Sequence, residues 1–416
     1  MWRVVSDLGK EEESLRAGEV AEKMIQAIKQ EEITRLLQDL IRIPSHYQSK
    51  RREKDVAEYI FEYLDRQGIE VLLREVVDDR PNIIARIPGS GDGKSLLLNG
   101  HTDTVPPHRM EIDPFNPIMK GDRLFGRGSV DMKGALASMI AAILAIKRSG
   151  LRLKGDVYFT GVIGEELNSE GTKDIVRNGP KADMAIVGEP TELQIALGHK
   201  GLEWIEVIIK GRSAHSGNPE AGINAISKAA KFIHNVEEEL IPQLDQLQDA
   251  ILGRATLNFG RIEGGEQPST VAGECKLQID RRWLPQETLE MVYEDFHKVI
   301  QELAAQDPEF QAEVRPHPSS TATPHMPVKI SSDHPLVQAL ARSTEVVVGK
   351  KPALVAFPAW TDASLLSNLG GIDSVVFGPG SLKQAHSAIE YTSISQVMQA
   401  AKIYVLTALE ICGKGG

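Results

Sequence analysis

The stretch that decides the fold is Leu96-Leu97-Leu98-Asn99-Gly100-His101-Thr102-Asp103-Thr104-Val105-Pro106-Pro107. Its apolar start is too short for a helix and predicts a strand buried on both faces, as in a parallel sheet. The strand stops at polar residues and two prolines, so His101 and Asp103 lie at the carboxyl end, where open α/β sheets bind ligands. Their side chains point to the same side of an extended chain. The pair fits a metal ligand with an orienting carboxylate, or a general base; the simpler alternative is a histidine that only satisfies a hydrogen bond.

Length and composition describe a soluble globular chain. At 416 residues it exceeds what one hydrophobic core comfortably fills, so two domains are expected. The net charge of −11 argues against broad nucleic-acid binding and against anionic membrane surfaces, although a few local cations could still bind an anionic substrate. Cys275 and Cys412 have no metal-ligand spacing, which favours a reduced protein. No secretory signal or membrane span is visible, so we expect a cytoplasmic protein.

Acidic residues follow further apolar runs. The run 156–162 predicts a buried strand that leads into Gly164-Glu165-Glu166, and the run 184–187 leads in the same way to Glu189. Asp131 follows a glycine-rich loop and precedes a long apolar helix, where capping of the helix is the simpler alternative. Adjacent carboxylates repel each other unless a cation lies between them or one holds a proton. Directly after a buried strand, such a pair indicates more than ordinary solvated charge.

The order of strand and helix signals predicts an α/β fold with a mostly parallel sheet flanked by helices. Near Trp204 the pattern changes to alternating strands around helices, which indicates an inserted domain. We predict that residues 1–204 and 322–416 form the catalytic metal-binding domain. Residues 205–321 are predicted to form a smaller α+β lid that also makes a dimer.

Five residues with metal-binding side chains follow the predicted strands. Two imidazoles and three carboxylates suit a pair of divalent ions such as Zn²⁺, with one carboxylate bridging them. Each residue alone has an ordinary explanation, but five at successive strand ends do not share one easily. They are His101, Asp131, Glu166, Glu189 and His386.

A set of motifs carries a family resemblance. They are His-Thr-Asp at 101–103, Gly-Arg-Gly-Ser-Val-Asp-Met-Lys-Gly at 126–134, Gly-Glu-Glu at 164–166, Gly-Glu-Pro at 188–190, Gly-Arg-Ser-Ala-His-Ser at 211–216 and Ala-His at 385–386. In combination they resemble the di-zinc amidohydrolases and exopeptidases that include acetylornithine deacetylase, succinyl-diaminopimelate desuccinylase, aminoacylase and carboxypeptidase G. The resemblance covers about residues 33 to 410.

The resemblance implies two divalent metal ions per subunit, zinc first, with cobalt or manganese as alternatives. Asp131 would bridge the two ions. His101 and Glu189 would complete one metal position, and Glu166 and His386 the other.

Roles for the neighbouring residues are implied in the same way. Glu165 would be the general base, and Asp103 the carboxylate that orients the metal-bound imidazole. His215 resembles the family histidine that reaches into the partner subunit's active site. Arg282 matches an arginine that binds the substrate carboxylate, and the loop containing Gly380 would offer backbone amides.

The implied function is hydrolysis of the amide bond of N-acyl amino acids, similar to acetylornithine deacetylase. A metal-bridged hydroxide would attack the amide, Glu165 would carry its proton to the leaving amine, and a metal with His215 would stabilise the oxyanion. The expected substrate is a small N-acyl amino acid or a short peptide, with no nucleic acid and no membrane involved.

Alternatives remain within the same chemistry. They are a dipeptidase or carboxypeptidase, an N-formyl-aminopyrimidine deformylase, and succinyl-diaminopimelate desuccinylase. The desuccinylases have an Asn and then a Pro in the lid strand, where this chain reads Ser269-Thr270-Val271-Ala272. A non-catalytic binding protein on the same scaffold is the alternative from another class, because fold alone does not separate these functions.

Overall fold

The computed structural model describes residue 19, residues 21–320 and residues 325–413, and it divides into two compact units. The first unit comprises the described residues up to Leu197, Ile330–Phe357, and the described residues from Thr361 onward. The second comprises the described residues of Gly198–Lys329 together with Pro358–Trp360.

The first unit is built on a mixed sheet. Its strands are β1 (Glu70–Val77), β2 (Arg80–Ile87), β3 (Leu96–His101), β4 (Ile118–Lys120), β5 (Arg123–Phe125), β6 (Val157–Val162), β7 (Met184–Val187), β8 (Ile195–Ala196), β17 (Leu354–Val355), β18 (Asp373–Val376) and β19 (Tyr391–Ser393). Eight of them form one sheet in the order β1-β2-β6-β3-β7-β18-β8-β17. The central strands β6, β3, β7 and β18 run parallel, and β1 and β2 join antiparallel at one side. Every residue of β3 is buried, as predicted for a strand covered on both faces.

Helices of the first unit pack in two groups. They are α1 (Gln30–Arg42), α2 (Lys54–Asp65), α3 (Gly134–Ser149), α4 (Glu170–Asn178), α8 (Pro335–Val348), α9 (Ala363–Asn368) and α10 (Ile394–Cys412). α1, α3, α8 and α10 pack together, whereas α4 packs with α9, and α2 covers β1 and β2. The α/β class predicted from the sequence is therefore confirmed.

The long apolar helix of the first unit is a core helix. The stretch Ser129–Ser149 is long and apolar enough to cross a membrane by length and composition, but its apolar part is buried within the protein, and Lys147 and Arg148 near its end are exposed. Gly150 ends α3 in the left-handed conformation, with φ of 71°, which glycine adopts without steric cost. This helix follows directly after the loop that carries Asp131.

The second unit is an α+β structure. Its strands are β9 (Gly198–His199), β10 (Gly201–Lys210), β11 (Gln248–Asp249), β12 (Gly253–Arg254), β13 (Thr256–Gly264), β14 (Glu274–Trp283), β15 (Gln311–Pro316) and β16 (Val328–Lys329), and its helices are α5 (Ala225–Asn235), α6 (Ile241–Leu244) and α7 (Leu289–Gln306). Four strands form an antiparallel sheet in the order β13-β14-β10-β15. Buried and half-buried residues alternate along β14, and α5 packs on β14 and β10. Such alternation is typical of a sheet with one covered face.

The boundaries of this unit differ from the predicted ones. The predicted limits at 205 and 321 fall inside it, because β10 already begins at Gly201 and β16 ends at Lys329, where it pairs with β9. The ends of the predicted ranges at residues 1–18, 321–324 and 414–416 lie outside the described residues.

Candidate metal centre

Three of the five candidate ligands stand where parallel strands end, whereas Asp131 lies between β5 and α3, and His386 lies in the loop between β18 and β19. His101 is the last residue of β3, Glu166 follows β6 after a short turn, and Glu189 comes two residues after β7. Since β6, β3 and β7 are parallel neighbours, their carboxyl ends meet at one edge of the sheet. The topology therefore brings together residues that are far apart in sequence.

Asp131 lies between two imidazoles. One carboxylate oxygen, Oδ1, is 3.1 Å from His101 Nε2, and the other, Oδ2, is 3.2 Å from His386 Nε2. His386 Nε2 is also 3.2 Å from the Glu166 carboxylate, and His386 has a positive φ of 57°, unusual for a residue other than glycine. His101, Asp131 and Glu166 each offer a ligand atom within 4.8 Å of the others. Two ligands of one tetrahedral zinc ion lie roughly 3.4 Å apart. The distances of 3.1 and 3.2 Å between imidazole nitrogens and carboxylate oxygens therefore fit pairs of ligands that share a cation.

The hydrogen bonds of His101 leave the correct nitrogen for a metal. Nδ1 lies 3.0 Å from the carbonyl oxygen of Asp103, and a carbonyl can only accept, so Nδ1 carries the proton. In the neutral imidazole Nε2 then holds the lone pair, directed at Asp131. Glu189 Oε1 is 3.6 Å from the same Nε2 and is buried without a hydrogen-bond partner among the described residues. Buried polar atoms normally have partners, so this oxygen fits a cation ligand.

The Asp103 carboxylate mainly holds the turn that carries the acidic pair. It accepts hydrogen bonds from the backbone N–H groups of Glu165, at 3.2 Å, and Glu166, at 2.9 Å. Its own distance to His101 Nδ1 is 3.6 Å, longer than that of the Asp103 carbonyl. Asp103 thus contacts both the imidazole and the backbone of the acidic turn.

Burial shapes the protonation of the carboxyl groups. It raises the pKa of Glu189 to about 8 and, with neighbouring carboxylates, raises the pKa of Glu165 well above its usual value. Burial would also raise the pKa of Asp131, but hydrogen bonds with His101 and His386 lower it. The site has only two imidazoles, those of His101 and His386. It has four carboxyl groups, those of Asp131, Glu165, Glu166 and Glu189. A divalent cation neutralises such an excess of buried negative charge, so the donor set fits a metal.

These pKa shifts predict how the metal-free protein responds to pH. A group whose pKa is raised by folding contributes stability that is present below its unfolded pKa and lost as the pH rises through its folded pKa. For Glu189 the window runs from its usual value of 4.5 to about 8. We expect the thermal midpoint of chelator-treated protein to fall across this window. Zinc should raise the midpoint more near the upper end than near the lower end, because the metal must displace protons.

A matched variant checks the assignment. Glu189→Gln cannot titrate, so its metal-free thermal midpoint should fall less steeply with pH than that of the unchanged protein. Parallel pH profiles for the two proteins would contradict the prediction.

A buried ion pair that the sequence did not reveal supports the Asp131 loop. Arg127 Nη1 lies 2.6 Å from Glu390 Oε2, and both side chains are almost fully buried. Glu390 Oε1 accepts the backbone N–H of Val130 at 3.0 Å. Lys133 is also buried and donates its ammonium protons to the carbonyl oxygens of α1 and the residue after it, Leu40 and Ile43. In the sequence, the only sign of this buried lysine was that Lys133 directly precedes the apolar helix α3.

Asp362 is a further buried acid near this edge that sequence reasoning missed. It is 1% exposed, accepts a hydrogen bond of 2.6 Å from Thr172 Oγ1, and has a second oxygen, Oδ1, without a partner among the described residues. Burial raises the pKa of Asp362 to about 6. In the sequence, Asp362 reads only as the start of a helix.

The loop around Gly380 does not present the free amides that the resemblance implied. The Gly380 N–H donates to Gln396 Oε1 at 2.8 Å, and the Gly378 N–H donates to Thr191 Oγ1 at 3.1 Å. Both donors are therefore already used within the first unit. The positive φ of 86° at Gly380 places it in a turn that favours glycine.

His215 and Arg282 belong to the second unit. His215 is exposed, and its Nδ1 accepts the Gly217 N–H at 3.1 Å, which leaves Nε2 as the N–H donor of the neutral ring. Arg282 lies on β14 and donates from Nε to Asp280 Oδ1 at 2.7 Å. The arginine therefore already has one carboxylate partner.

This protein has an α/β sheet with a His/Asp/Glu cluster at the carboxyl edge of its parallel strands. Such a site is typical of proteins that carry out metal-assisted hydrolysis. Residues 97–410 match the model of Peptidase family M20/M25/M40. The chain belongs to this family, and it is a hydrolase. The family resemblance seen in the sequence is confirmed, and the alternative of a non-catalytic binding protein is not supported.

Relatives in this family differ in their substrates. The chain is 29% identical to an N-formyl-4-amino-5-aminomethyl-2-methylpyrimidine deformylase of Bacillus subtilis, over 92% of this chain and 95% of that protein. It is 29% identical to an acetylornithine deacetylase of Myxococcus xanthus, over 88% of this chain and 94% of that protein. The crystal structure of aminopeptidase PepT from Bacillus cereus shares the fold, with a TM-score of 0.77 and 23% identity over 92% of this chain and 99% of that one.

Proposed function

We propose that the protein is a metal-dependent deacylase that hydrolyses the amide bond of N-acyl amino acids, similar to acetylornithine deacetylase. The observation that carries the proposal is the buried cluster of Asp131 between His101 and His386, with the acidic pair Glu165-Glu166 beside it. It supplies ligands and a separate carboxylate for proton transfer. The deacetylase relative matches almost the whole chain.

The same cluster supports two divalent ions per subunit, with zinc as the proposed metal. Asp131 has one oxygen beside each imidazole, which is the arrangement of a bridging ligand. Glu189 lies beside His101, and Glu166 beside His386, so each imidazole has its own second carboxylate. Imidazole with carboxylate oxygen is a donor set that zinc accepts, and cobalt or manganese would be accepted as well.

Glu165 is the proposed proton carrier. Bound divalent ions would polarise the scissile carbonyl and acidify the attacking water. Glu165 takes the proton from that water and returns it to the leaving amine nitrogen as the carbon–nitrogen bond breaks. Its raised pKa makes the carboxylate a stronger base, and the Asp103 carboxylate fixes its backbone.

A homodimer through the second unit is part of the proposal. β13 is an edge strand of the four-stranded sheet, so one side of its backbone has no strand partner among the described residues. Ile262 on β13 is 54% exposed and Ile226 on α5 is 44% exposed. A Cβ on Gly264 of β13 would lie 3.1 Å from Ile226, so Ile226 lies against β13. An open edge with exposed isoleucines favours association with a second copy.

His215 is the proposed oxyanion donor from the partner subunit. His215→Ala should lower kcat by roughly 10²–10³-fold, the usual effect of losing one such donor, while metal content and dimerisation persist. Mixing His215→Ala with Glu165→Ala subunits tests the crossing, since each heterodimer would regain one complete site. Subunit exchange without recovered activity would show that the crossed arrangement is wrong.

Deformylation of an aminopyrimidine is the second candidate, because the deformylase relative matches 92% of this chain. The two candidates differ at the substrate: an N-acyl amino acid carries a carboxylate, and an aminopyrimidine does not. If Arg282 binds that carboxylate, Arg282→Gln should raise KM for N-acetyl amino acids by about tenfold or more. The KM of an uncharged formamide should stay unchanged.

The experiment that tests the proposed function is a substrate panel with the zinc-loaded protein. It includes N-acetyl, N-succinyl and N-formyl amines together with dipeptides, and the ratio of kcat/KM values identifies the substrate class. Highest kcat/KM on N-acetyl amino acids supports the deacylase, whereas preference for the formyl-aminopyrimidine or for dipeptides overturns it.

A cytoplasmic location is also proposed, supported by the buried, unpaired Cys275 and Cys412.

A further inference from the structure

A groove of about 650 Å³ lies in the first unit, and it is lined by none of the candidate metal ligands. Its walls are the β4–β5 hairpin, β19 and the loop at Gly380–Gln384. Gly380 is the only residue of the predicted site that lines it. Neither the motifs nor the proposed function assigns a role to this groove.

Two cations in the groove are held by aromatic rings. Lys120 Nζ lies 5.6 Å from the centre of the Phe125 ring, and the Arg123 guanidinium lies 4.5 Å from the centre of the Tyr391 ring. The centres of the Phe125 and Tyr391 rings lie 5.2 Å apart, so the two rings pack against each other. Neither cation forms an ion pair with a carboxylate in the described part of the chain. Cation–π contacts therefore position both charges and leave their N–H donors free.

The carboxylates of the groove already have hydrogen-bond donors. Asp122 accepts from the hydroxyl of Ser393 and from the backbone N–H and hydroxyl of Ser395, both of the latter at 2.8 Å. Glu192 accepts the hydroxyl proton of Ser381. Their acceptor capacity is partly used, whereas the cationic donors are not. The groove therefore combines two cations whose N–H donors are unused with two carboxylates whose oxygens are partly occupied.

The unused donors of Lys120 and Arg123 suit a ligand with oxygen acceptors. Gln396 adds another donor, since its Oε1 accepts the Gly380 N–H and its amide NH₂ remains a donor. The planar guanidinium of Arg123 can bind a carboxylate or phosphate through two parallel hydrogen bonds. We propose that this groove binds a small oxygen-rich organic or inorganic anion, and that Lys120 and Arg123 recognise its carboxylate or phosphate group.

The groove is connected to the metal centre through the backbone. Phe125 leads directly into the loop that ends at Asp131, and Gln384 precedes His386 by two residues. Tyr391 follows Glu390, whose carboxylate pairs with Arg127 and holds the Val130 N–H. An anion bound here would lie against the chain segments that lead to Asp131 and His386.

Isothermal titration of the zinc-loaded protein with inorganic phosphate and, separately, with citrate tests the proposal. The double variant Lys120→Gln/Arg123→Gln is compared with Lys50→Gln/Arg109→Gln, which removes the same charge from exposed residues elsewhere. We expect the groove variant to raise Kd by about tenfold or more, because it loses charge-assisted hydrogen bonds, and the control variant to leave Kd unchanged. Zinc in the metal centre can bind the anion in the unchanged protein and in both variants alike. A difference in Kd between the groove variant and the control variant therefore reports binding in the groove.

The two anions distinguish the sources of the ligand. Tighter binding of phosphate indicates a phosphorylated metabolite, and tighter binding of citrate indicates a polycarboxylate. Equal Kd values in the groove variant and the control, or no saturable binding of either anion up to about 10 mM, overturn the proposal. Should the double variant fail to fold, the single variant Arg123→Gln is titrated by the same criteria.

Discussion

Asp131→Ala is expected to release both metal ions and to lower kcat/KM by about 10³-fold or more, since metal polarisation of the amide contributes several kcal/mol. The reason is its position: its two oxygens lie 3.1 Å from His101 Nε2 and 3.2 Å from His386 Nε2. No other described carboxylate contacts both imidazoles. Elemental analysis after dialysis against zinc-free buffer measures the ions, and hydrolysis of the best substrate measures the activity.

Comparison with other acidic residues makes this test specific. Glu189→Ala should weaken mainly the ion beside His101, because Glu189 lies 3.6 Å from that imidazole alone. Asp65→Ala, at the exposed end of α2, should retain both ions and full activity. Two tightly bound ions in Asp131→Ala would show that this carboxylate does not bridge them.

Glu165→Gln is expected to keep both metal ions while kcat falls by roughly 10²–10⁴-fold, the range found for loss of a general acid–base group. Glutamine keeps the size of the side chain and the backbone hydrogen bond to Asp103, but it cannot accept and return a proton. Metal content, KM and kcat are measured together, so that loss of proton transfer is distinguished from loss of metal or substrate binding.

The adjacent residue provides the matched control. Glu166→Gln makes the same chemical change next to it, but the Glu166 carboxylate lies 3.2 Å from His386 Nε2. We therefore expect Glu166→Gln to lose metal. The reverse pattern, with metal lost from Glu165→Gln and retained in Glu166→Gln, would exchange the two roles.

The sequence predicted the architecture near the site because local runs of apolar residues indicate which segments are buried. The three leucines before His101 predicted a strand covered on both faces, and β3 is buried throughout. The polar residues after such runs were then placed at the carboxyl edge of the sheet. The limits of the second unit were less accurate, because the pairing of β9 with β16 joins short segments that have no periodicity of their own.

What the sequence by itself determined is the set of chemical groups and, for His101, Glu166 and Glu189, the strand ends from which they project. Only the tertiary structure decided that Asp131 lies between the imidazoles of His101 and His386, and that Glu390 pairs with Arg127 across 263 positions of the chain. It also showed that the Gly380 amide is already used by Gln396. Local patterns record which residues are buried, whereas the partner of a buried charge depends on how distant segments pack. That packing is why the geometry of the metal centre could not be obtained from spacing alone.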